Sequence, residues 1–476
     1  MKKIIVACFA ALLLVFGGVS SAQADEYLRV GMEAAYAPFN WTQDDNSNGA
    51  VPIEGTKQYA NGYDVQIAKK IAEAQGKKPL VVKTAWTGLI PALTSGKIDM
   101  IIAGMSPTAE RRQEIDFSDS YYRSEPVMVV SSDGDYANAK SLKDFKDAKI
   151  TAQQGVYLYN LIDQIPGVSK QTAMGDFGAM RQALASGIID GYVSERPEAK
   201  TAEEASSKYK MITLKDGGFQ VSDDDVSLAV GLRKGNSQQM EQVNKVLAGI
   251  SQEERVKLMD HIIDIQPADK TDEAKKGNFF SQMSNIIAKN WPQFLRGTGI
   301  TLLISIIGTV VGTFIGLMIG VYRTAPKAAN KFVALLQKLF GWVLNVYIEV
   351  FRGTPMIVQS MVIYYGTAQA FGINIDRTLA AVFIVSINTG AYMSEIVRGG
   401  IFAVDKGQFE AATALGFTHG QTMRKIVLPQ VIRNILPATG NEFVINIKDT
   451  SVWNVISVVE LYFAGNPVAS QTYQYF

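Results

Sequence analysis

Residues 299–322 contain no charged side chain in 24 consecutive positions, and this segment constrains the fold more than any other feature of the chain. A bilayer core about 30 Å thick requires roughly 20 apolar residues in a helix. The segment therefore predicts a membrane-spanning helix. Within it, Gly308, Gly312, Gly316 and Gly320 recur at every fourth position, which predicts that a second helix approaches one face closely.

Three further apolar stretches come later in the chain, at residues 354–375, 378–401 and 434–459. The first two have the length of single spans. The third is longer and carries Glu442, Lys448 and Asp449, which predicts a bent helix that partly faces a cavity. Residues 291–476 are accordingly predicted to form an all-α membrane domain.

Basic residues cluster after the first span, and lysine and arginine mark the cytoplasmic side of a membrane protein. They are Arg323, Lys327, Lys331, Lys338 and Arg352. Three crossings then return residues 402–433 to the cytoplasm. The segment before the first span is expected outside the cell, so the chain is predicted to be a multi-pass protein of the plasma membrane.

The N-terminus predicts a signal peptide over residues 1–24, because a charged start, an apolar run and an A-x-A site succeed one another. An uncleaved signal anchor is the alternative, and in both cases the α/β region after it is exported. The single cysteine, Cys8, lies in this run, so disulfides and thiolate metal sites are excluded. The two histidines, His261 and His419, argue against a histidine-centred metal or catalytic site.

Overall charge is nearly balanced, with 46 Lys+Arg against 45 Asp+Glu, which argues against a nucleic-acid partner. Residues 25–267 alternate short strands with amphipathic helices, the pattern of a parallel α/β fold. Residues 268–290 are predicted to form a charged linker and an amphipathic approach to the membrane, and Trp291 is expected at the membrane interface.

Two segments of the α/β region repeat one pattern. Residues 92–106 and 183–197 each read as a helix, Ser-Gly, x-Ile-Asp, a strand and a polar loop. Open α/β sheets bind ligands at the carboxyl ends of their strands. The repeat therefore predicts two similar lobes, each presenting a loop to a ligand.

A polar segment interrupts the membrane domain at residues 410–430. It reads Glu410-Ala411-Ala412, three residues, Gly416, nine residues and then I-V-L-P. This spacing resembles the EAA motif of ABC importer permeases at every motif position. The resemblance implies that Glu410, Ala411, Ala412 and Gly416 belong to a cytoplasmic helix that docks on an ATPase subunit.

The resemblance extends over nearly the whole chain. "FRGTPMIVQ" (351–359), "GAYMSEIVRGGI" (390–401) and "IKDTSV" (447–452) resemble permeases for polar amino acids. The exported part resembles the binding proteins of the same systems, of the histidine, glutamine and arginine type. A type II periplasmic-binding-protein domain of two lobes, fused to an ABC importer transmembrane domain, is therefore expected. The family's final crossing is expected to be missing at the carboxyl end.

The resemblance also implies a ligand site. Its members are Glu33, Tyr36, Trp86, Gly104, Ser106, Arg111, Tyr157 and Glu195. By the resemblance, Arg111 and the backbone around Gly104 and Ser106 hold the ligand α-carboxylate, and Glu195 holds the α-ammonium. Tyr157 occupies a main-chain donor position. As ordinary alternatives, Arg111 belongs to a solvated helix face, and the aromatic residues belong to a core.

Glu33 falls where related binding proteins place an acid against the ligand side chain, with Tyr36 and Trp86 as aromatic walls. This favours a cationic ligand, arginine or lysine, because aromatic faces and a carboxylate both attract cations. Glutamine is the alternative, in which Glu33 pairs with a neighbouring lysine.

No G-x-x-x-x-G-K-[ST] motif occurs, so ATP and Mg²⁺ are expected on a partner ATPase dimer. A second copy of the permease, the amino acid and the lipid membrane are the other expected partners. A ligand-gated ion channel of the glutamate-receptor type is a competing interpretation, but the chain lacks a TVGYG-like loop. An exported enzyme on the same fold lacks support, since no G-x-S-x-G motif is present.

Overall fold

The computed structural model describes residues 26–214, 217–266 and 279–472. The predicted signal peptide and residues 268–278 of the predicted linker and approach lie outside the described residues. Two compact units are present, one formed by Met1–Trp291 with Gly465–Phe476 and the other by Pro292–Ala464. Each unit is described by itself.

The first unit contains all the strands of the described part of the chain. They are β1 (Tyr27–Met32), β2 (Ala35–Tyr36), β3 (Asn40–Gln43), β4 (Val51–Pro52), β5 (Tyr59–Asn61), β6 (Lys78–Lys83), β7 (Met100–Ile101), β8 (Asp116–Arg123), β9 (Pro126–Ser131), β10 (Lys149–Thr151), β11 (Ser169–Lys170), β12 (Gly191–Glu195), β13 (Tyr209–Ile212) and β14 (Ser227–Leu232). Its helices are α1 (Tyr63–Ala74), α2 (Leu89–Thr94), α3 (Leu158–Leu161), α4 (Phe177–Ala185), α5 (Arg196–Ala205), α6 (Asp223–Val226), α7 (Ser237–Ala248) and α8 (Gln252–Ile265).

Two mixed sheets form the cores of two lobes. The first lobe has the strand order β6-β1-β7-β14-β8, and the second has β11-β10-β12-β9-β13. A small sheet, β2-β3-β5-β4, belongs to the first lobe. Because β14 returns to the first sheet after the second lobe is complete, two chain segments connect the lobes. The predicted two-lobe α/β domain is confirmed.

The internal repeat has a structural counterpart in each lobe. The Asp99 carboxylate accepts a hydrogen bond from the Arg29 N–H of β1 at 2.9 Å, and Asp190 accepts one from the Lys149 N–H of β10 at 2.8 Å. Gly96 and Gly187, which end the preceding helices, have φ angles of +76° and +71°, a region that favours glycine. The same turn chemistry therefore connects a helix to a parallel strand in both lobes.

The remaining helices are given in chain order. They are α9 (Phe279–Arg323), α10 (Lys331–Gly353), α11 (Met356–Met361), α12 (Thr367–Phe371), α13 (Arg377–Phe402), α14 (Lys406–Ala414), α15 (His419–Thr422), α16 (Leu428–Asp449) and α17 (Leu461–Thr472). A π-helical turn at Val362–Gly366 joins α11 to α12, and a 3₁₀ turn at Thr450–Ile456 comes after α16.

Three helices of the described residues are long and apolar enough to cross a membrane: Met283–Arg323, Lys331–Gly353 and Arg377–Phe402. The first of these helices combines the amphipathic approach and the first span in one continuous helix. The sequence pattern had predicted them as two separate segments. The stretch predicted as a span at residues 354–375 is helical over Met356–Phe371, with a π turn inside it, and is shorter than predicted. The last stretch is interrupted, since the α-helix ends at Asp449 and a 3₁₀ turn follows; its predicted bend stays a prediction.

Helix α10 lies where the sequence interpretation placed a cytoplasmic loop. Lys331 and Arg352 are at opposite ends of this helix, about 32 Å apart at a rise of about 1.5 Å per residue. They cannot mark the same membrane surface if α10 crosses the bilayer. The predicted orientation therefore depends on Arg323, Lys327 and Lys331, and the cytoplasmic side of residues 402–433 stays a prediction.

The glycine face of α9 packs directly on α13, as the four-residue spacing predicts. A Cβ atom at Gly308, Gly312, Gly316 or Gly320 would approach side-chain atoms of α13 at 2.3, 2.6, 2.5 and 2.5 Å. The atoms approached belong to Val385, Thr389, Met393 and Val397, which also recur every four residues. Only glycine allows the two helices to come this close.

Candidate functional site

A cavity lies between the two lobes of the first unit. It is lined by Tyr36, Trp86, Gly104, Ser106, Arg111, Gln153, Val156, Tyr157, Leu158, Phe177 and Glu195. Seven of the eight residues that the resemblance named are among them, and Glu33 is not. Both lobes contribute, because the lining comes from loops that follow strands of each sheet.

Arg111 occupies the first-lobe side of this cavity. Its guanidinium donates hydrogen bonds to the carbonyl oxygens of Ser106 and, across the cleft, Gly155, both at 2.8 Å. The guanidinium carbon also lies 5.1 Å from the ring centre of Trp86, a cation–π contact. Arg111 is only 9% exposed, whereas its neighbour Arg112 is exposed, so the solvated-face alternative applies to Arg112 alone. Burial lowers the pKa of Arg111 to about 10, which leaves it charged at neutral pH.

Glu195 supplies a carboxylate from the second lobe, at the end of β12. It is 4% exposed and accepts a hydrogen bond from the Tyr36 hydroxyl of the first lobe at 3.0 Å. Burial raises the pKa of Glu195 to about 8, and the charges of Asp64 and Glu198 act in the same direction. The cavity therefore places a buried cation and a buried acid on opposite lobes.

The aromatic residues differ from the predicted arrangement. Tyr36 stacks on Phe177 of the second lobe with ring centres 4.8 Å apart, and on Phe39 at 5.0 Å. Trp86 instead donates from Nε1 to the Gly155 carbonyl at 3.3 Å. Phe177 covers one face of Tyr36 in this structure, and the sandwich of a ligand side chain between Tyr36 and Trp86 stays a prediction.

The loop that contains Gly104 is held from behind. Gly104 has a φ of +63°, and a Cβ atom there would lie 2.7 Å from the Tyr36 ring, so the position requires glycine. Its N–H donates to the Tyr121 hydroxyl at 3.0 Å, which in turn donates to the Asp64 carboxylate at 2.7 Å. The Gly104 N–H is thus engaged within the protein, and the role of the backbone around Gly104 and Ser106 in holding a ligand stays a prediction. Ser106 uses its carbonyl for Arg111, and its hydroxyl donates to the Asp225 carbonyl at 2.7 Å.

Tyr157 is the second-lobe residue that comes shortly after the Gly155 turn. Its hydroxyl is buried and has no hydrogen-bond partner within the described part of the chain. A buried hydroxyl without a partner is costly unless a ligand or water satisfies it. The structure thus favours the side chain of Tyr157 as a contact, in addition to the main-chain position that the resemblance implies.

Glu33 lies behind the cavity lining. Its carboxylate oxygens accept from the Gln153 amide at 3.4 and 3.2 Å. Burial raises the pKa of Glu33 to about 8, the nearby Asp176 charge adds to this, and Lys83 opposes it. Lys83 is itself 4% exposed, and burial lowers its pKa to about 7. Glu33 is not among the lining residues and bonds to Gln153, which is; its direct contact with a ligand stays a prediction.

Sequence reasoning missed four lining residues, Gln153, Val156, Leu158 and Phe177. The sequence pattern could have identified Gln153, because it follows strand β10 at the ligand-binding end of the second sheet. Phe177 begins helix α4, which Asp176 caps, and nothing in its local pattern distinguishes it from a core residue. Its role arises only from the contact with Tyr36 across the cleft.

The EAA segment forms the predicted helix and turn in the second unit. Helix α14 (Lys406–Ala414) is followed by Gly416 with a φ of +78°. Glu410, Ala411 and Gly416 are exposed, so these three are accessible to another protein. Ala412 is only 1% exposed, so its predicted contact with a partner is wrong. Adjacent helix positions point about 100° apart, which explains why Ala411 and Ala412 differ.

The base of this segment is fixed to α13. Met423 and Val427 belong to one apolar cluster with Met393, Val397 and Ile401 of α13. Thr418 and Gln421 form a capping box at the start of α15. These contacts fix the segment that follows α14 against α13.

Comparisons with known families assign both units. The sequence model of the bacterial extracellular solute-binding proteins, family 3, matches residues 28–261. That of the binding-protein-dependent transport system inner membrane component matches residues 328–464. The two matches cover separate parts of the chain, in the order that the fold presents them.

Individual relatives match the second part. The glutamine transport system permease protein GlnP of Escherichia coli (strain K12) is 39% identical over 188 residues, which are 38% of this chain and 80% of that protein. The arginine transport system permease protein ArtQ of Bacillus subtilis (strain 168) is 43% identical over 136 residues, 29% of this chain and 62% of that protein. The chain thus spans less than two thirds of the length of the arginine relative.

A solved structure matches the first part. It is an amino acid ABC transporter substrate-binding protein from Streptococcus pneumoniae Canada MDR_19A bound to L-arginine, with 25% identity and a TM-score of 0.45. The match covers 51% of this chain and 95% of that protein.

Proposed function

Because the chain belongs to the family of binding-protein-dependent transport system inner membrane components and carries a solute-binding domain ahead of it, we propose that it captures and imports a polar amino acid. The two-part fold and the assignment as a transporter subunit rather than an enzyme, both predicted from the sequence, are confirmed. The relatives named are transport permeases, so the family membership favours a transporter over the ion-channel alternative.

One observation carries the proposal for the ligand. Arg111 of the first lobe and Glu195 of the second lobe line the same cavity. A free amino acid carries a carboxylate and an ammonium group on one carbon, so a cation and an acid contributed by opposite lobes match it. Closure of the lobes on the ligand then couples capture to delivery.

More narrowly, we propose a cationic amino acid, arginine or lysine. Aromatic residues line the cavity, and the acid Glu33 bonds to the lining residue Gln153; aromatic faces and a nearby acid both favour a positive side chain. Relatives of the permease part serve arginine and glutamine alike, so the second candidate is glutamine. That candidate is favoured by Gln153, a neutral amide, which lines the cavity in place of Glu33.

The proposed cycle needs partners. An ATPase subunit, as a dimer that binds ATP and Mg²⁺, docks on α14, and a second copy of this chain completes the pathway. The protein lies in the plasma membrane with the binding domain on the outer side. The exposed surface of Glu410, Ala411 and Gly416 supports the docking step.

A binding and uptake experiment tests the function. The purified chain is reconstituted with its ATPase, and stabilisation by each of the twenty amino acids is measured by thermal unfolding. Arginine and lysine are expected to raise the unfolding temperature most and to be taken up only with ATP. Stabilisation by glutamine alone would replace the cationic assignment, and the lack of any response would overturn the importer proposal.

Ligand binding is expected to release a proton through Glu195. With a pKa of about 8, this carboxyl group is mostly protonated at pH 7, whereas the charged form best holds an α-ammonium group. Affinity is therefore expected to rise with pH between about 6 and 8, by up to about tenfold per unit. Calorimetry in buffers of different ionisation enthalpy measures the release.

Glu195→Gln is the matched variant for this measurement. It keeps the hydrogen bond to Tyr36 and removes the titration, while Glu33 and Asp64 still titrate in both proteins. We expect the variant to bind more weakly and to release fewer protons. Equal proton release by both proteins would contradict the assigned role.

Docking through α14 is expected to fail when its exposed charge or its turn is changed. Glu410→Lys reverses an exposed charge, and Gly416→Val places a branched residue at a φ of +78°. Both variants are expected to lose most ATP-driven uptake and to bind the amino acid normally. Lys406→Glu on the same helix is the comparison for charge reversal outside the motif, and normal uptake by all three variants would show that this segment is only a surface hairpin.

A further inference from the structure

We propose that Gln153 determines the class of ligand side chain that the cavity accepts, by presenting a hydrogen-bond acceptor to it. The inference rests on the proposed function and narrows it. Accepted side chains end in N–H donors, that is, guanidinium, ammonium or carboxamide groups, and side chains that end in a carboxylate are rejected.

Gln153 is placed at the ligand end of the second lobe. It follows β10, is 3% exposed and lines the cavity together with Phe177 and Glu195. Its amide nitrogen Nε2 lies 3.4 and 3.2 Å from the two carboxylate oxygens of Glu33, and 3.2 Å from the Gly175 carbonyl oxygen. The amide thus bridges the lobes while one of its faces borders the cavity.

The orientation of the amide is set by its neighbours. A backbone carbonyl can only accept, so Gly175 requires the nitrogen of Gln153 on its side. The Gly175 carbonyl has no proton to donate, so a flipped amide would place Oε1 against an acceptor oxygen, which is unfavourable.

The other amide atom, Oε1, is therefore the one left for the cavity. Within the described ranges, no protein group donates to Oε1 at hydrogen-bond distance. Gln153 is 3% exposed and lines the cavity, so an acceptor here can take a donor from a ligand or from water. A carboxylate at this place would face an oxygen with no proton between them.

This arrangement changes the role of Glu33. The sequence placed Glu33 against the ligand side chain, whereas the structure makes it a positioning residue that holds the Gln153 amide in one orientation. Phe177, Tyr36 and Trp86 provide apolar surface for an aliphatic stem, and Gln153 Oε1 meets its polar end. Arginine, lysine and glutamine satisfy this requirement, and glutamate and methionine do not.

The test compares Gln153→Leu with the unmodified full-length chain in lipid nanodiscs. Dissociation constants are measured for arginine, lysine, glutamine, glutamate and methionine, the last being a side chain of similar length without an N–H donor. The loss of a hydrogen bond to a charged donor corresponds to about 10- to 100-fold in affinity. We expect the preference for arginine over methionine to fall by that factor.

Gln154→Leu is the matched control, because Gln154 is the next residue, has the same side chain and is exposed. It is expected to keep the full preference. If Gln153→Leu fails to fold, Gln153→Glu tests the same point, since it keeps acceptor oxygens and adds a charge. In that variant, the ratio of arginine affinity to glutamine affinity is expected to equal or exceed the ratio in the unmodified chain.

The outcomes separate the two proposals. An unchanged arginine-to-methionine preference in Gln153→Leu, or a lower arginine-to-glutamine preference in Gln153→Glu, overturns the role of Gln153 and leaves the importer function in place. Strong binding of glutamate by the unmodified chain also overturns it. If the unmodified chain binds none of the five amino acids, the proposed function fails, and this inference fails with it.

Discussion

Arg111→Ala is expected to abolish amino acid binding at micromolar concentrations. The guanidinium is buried and belongs to a cavity that brings both lobes together. A ligand α-carboxylate that enters this cavity without a cationic partner would lose its water without compensation. Truncating one partner of a buried charge pair costs about 2–5 kcal/mol, which corresponds to about 30-fold to several thousand-fold in affinity.

A second effect adds to this loss. Arg111 donates to the Gly155 carbonyl of the second lobe and packs against Trp86, so it also connects the lobes. Arg111→Lys keeps the charge and loses the paired geometry of the guanidinium. We expect it to bind more tightly than Arg111→Ala and more weakly than the unmodified chain.

Arg112→Ala is the control for this prediction. Arg112 is adjacent in sequence and exposed, and it donates to the Pro107 carbonyl at 2.9 Å outside the cavity. It is expected to leave the dissociation constant nearly unchanged in an equilibrium binding assay with radiolabelled arginine. Micromolar binding by a folded Arg111→Ala protein would show that the carboxylate site has been misassigned.

Gly316→Val is expected to disrupt the packing of the helical unit. A Cβ atom at this position would lie 2.5 Å from the Met393 Cβ, 2.8 Å from the Met393 carbonyl carbon and 2.9 Å from the Ser394 nitrogen. Two of these are backbone atoms of α13, so a rotamer change cannot relieve the clash. Overpacking of a core costs about 1–3 kcal/mol and sometimes more, and here the helices must separate.

Gly299→Val in the same helix provides a close control. It makes the same change in α9, and an added Cβ there meets nothing within 4 Å. The two variants therefore share the change in helix propensity and differ in the contact with α13. Thermal unfolding in nanodiscs and resistance to proteolysis should separate them, and equal stability of the two would refute tight packing of α9 on α13.

The features behind these two predictions differ in how far local sequence patterns predicted them. The glycine spacing in α9 specified a close helix contact before any partner was known, because only the absence of side chains permits it. The partner positions on α13, from Val385 to Val397, have no such signature. Their identity required the packed helices.

In the ligand site, residue identity was more predictable than geometry. The resemblance named seven of the lining residues, including Arg111 and Glu195, and placed them on loops after strands. It assigned Glu33 to the ligand and omitted Gln153 and Phe177. The arrangement of these three residues has one cause, because each position depends on what the opposite lobe brings near it.

The sequence alone determined the order of the units, the two-lobe repeat, the long apolar helix and the EAA turn. Each of these depends on local chemistry, such as glycine at positive φ, an acid that accepts from a strand N–H, or the length of an apolar run. Only the tertiary structure decided that α10 is a helix and that Ala412 is buried. It also decided that Gln153 lines the cavity and bonds to Glu33, because contacts between residues more than a hundred positions apart leave no local pattern in the chain.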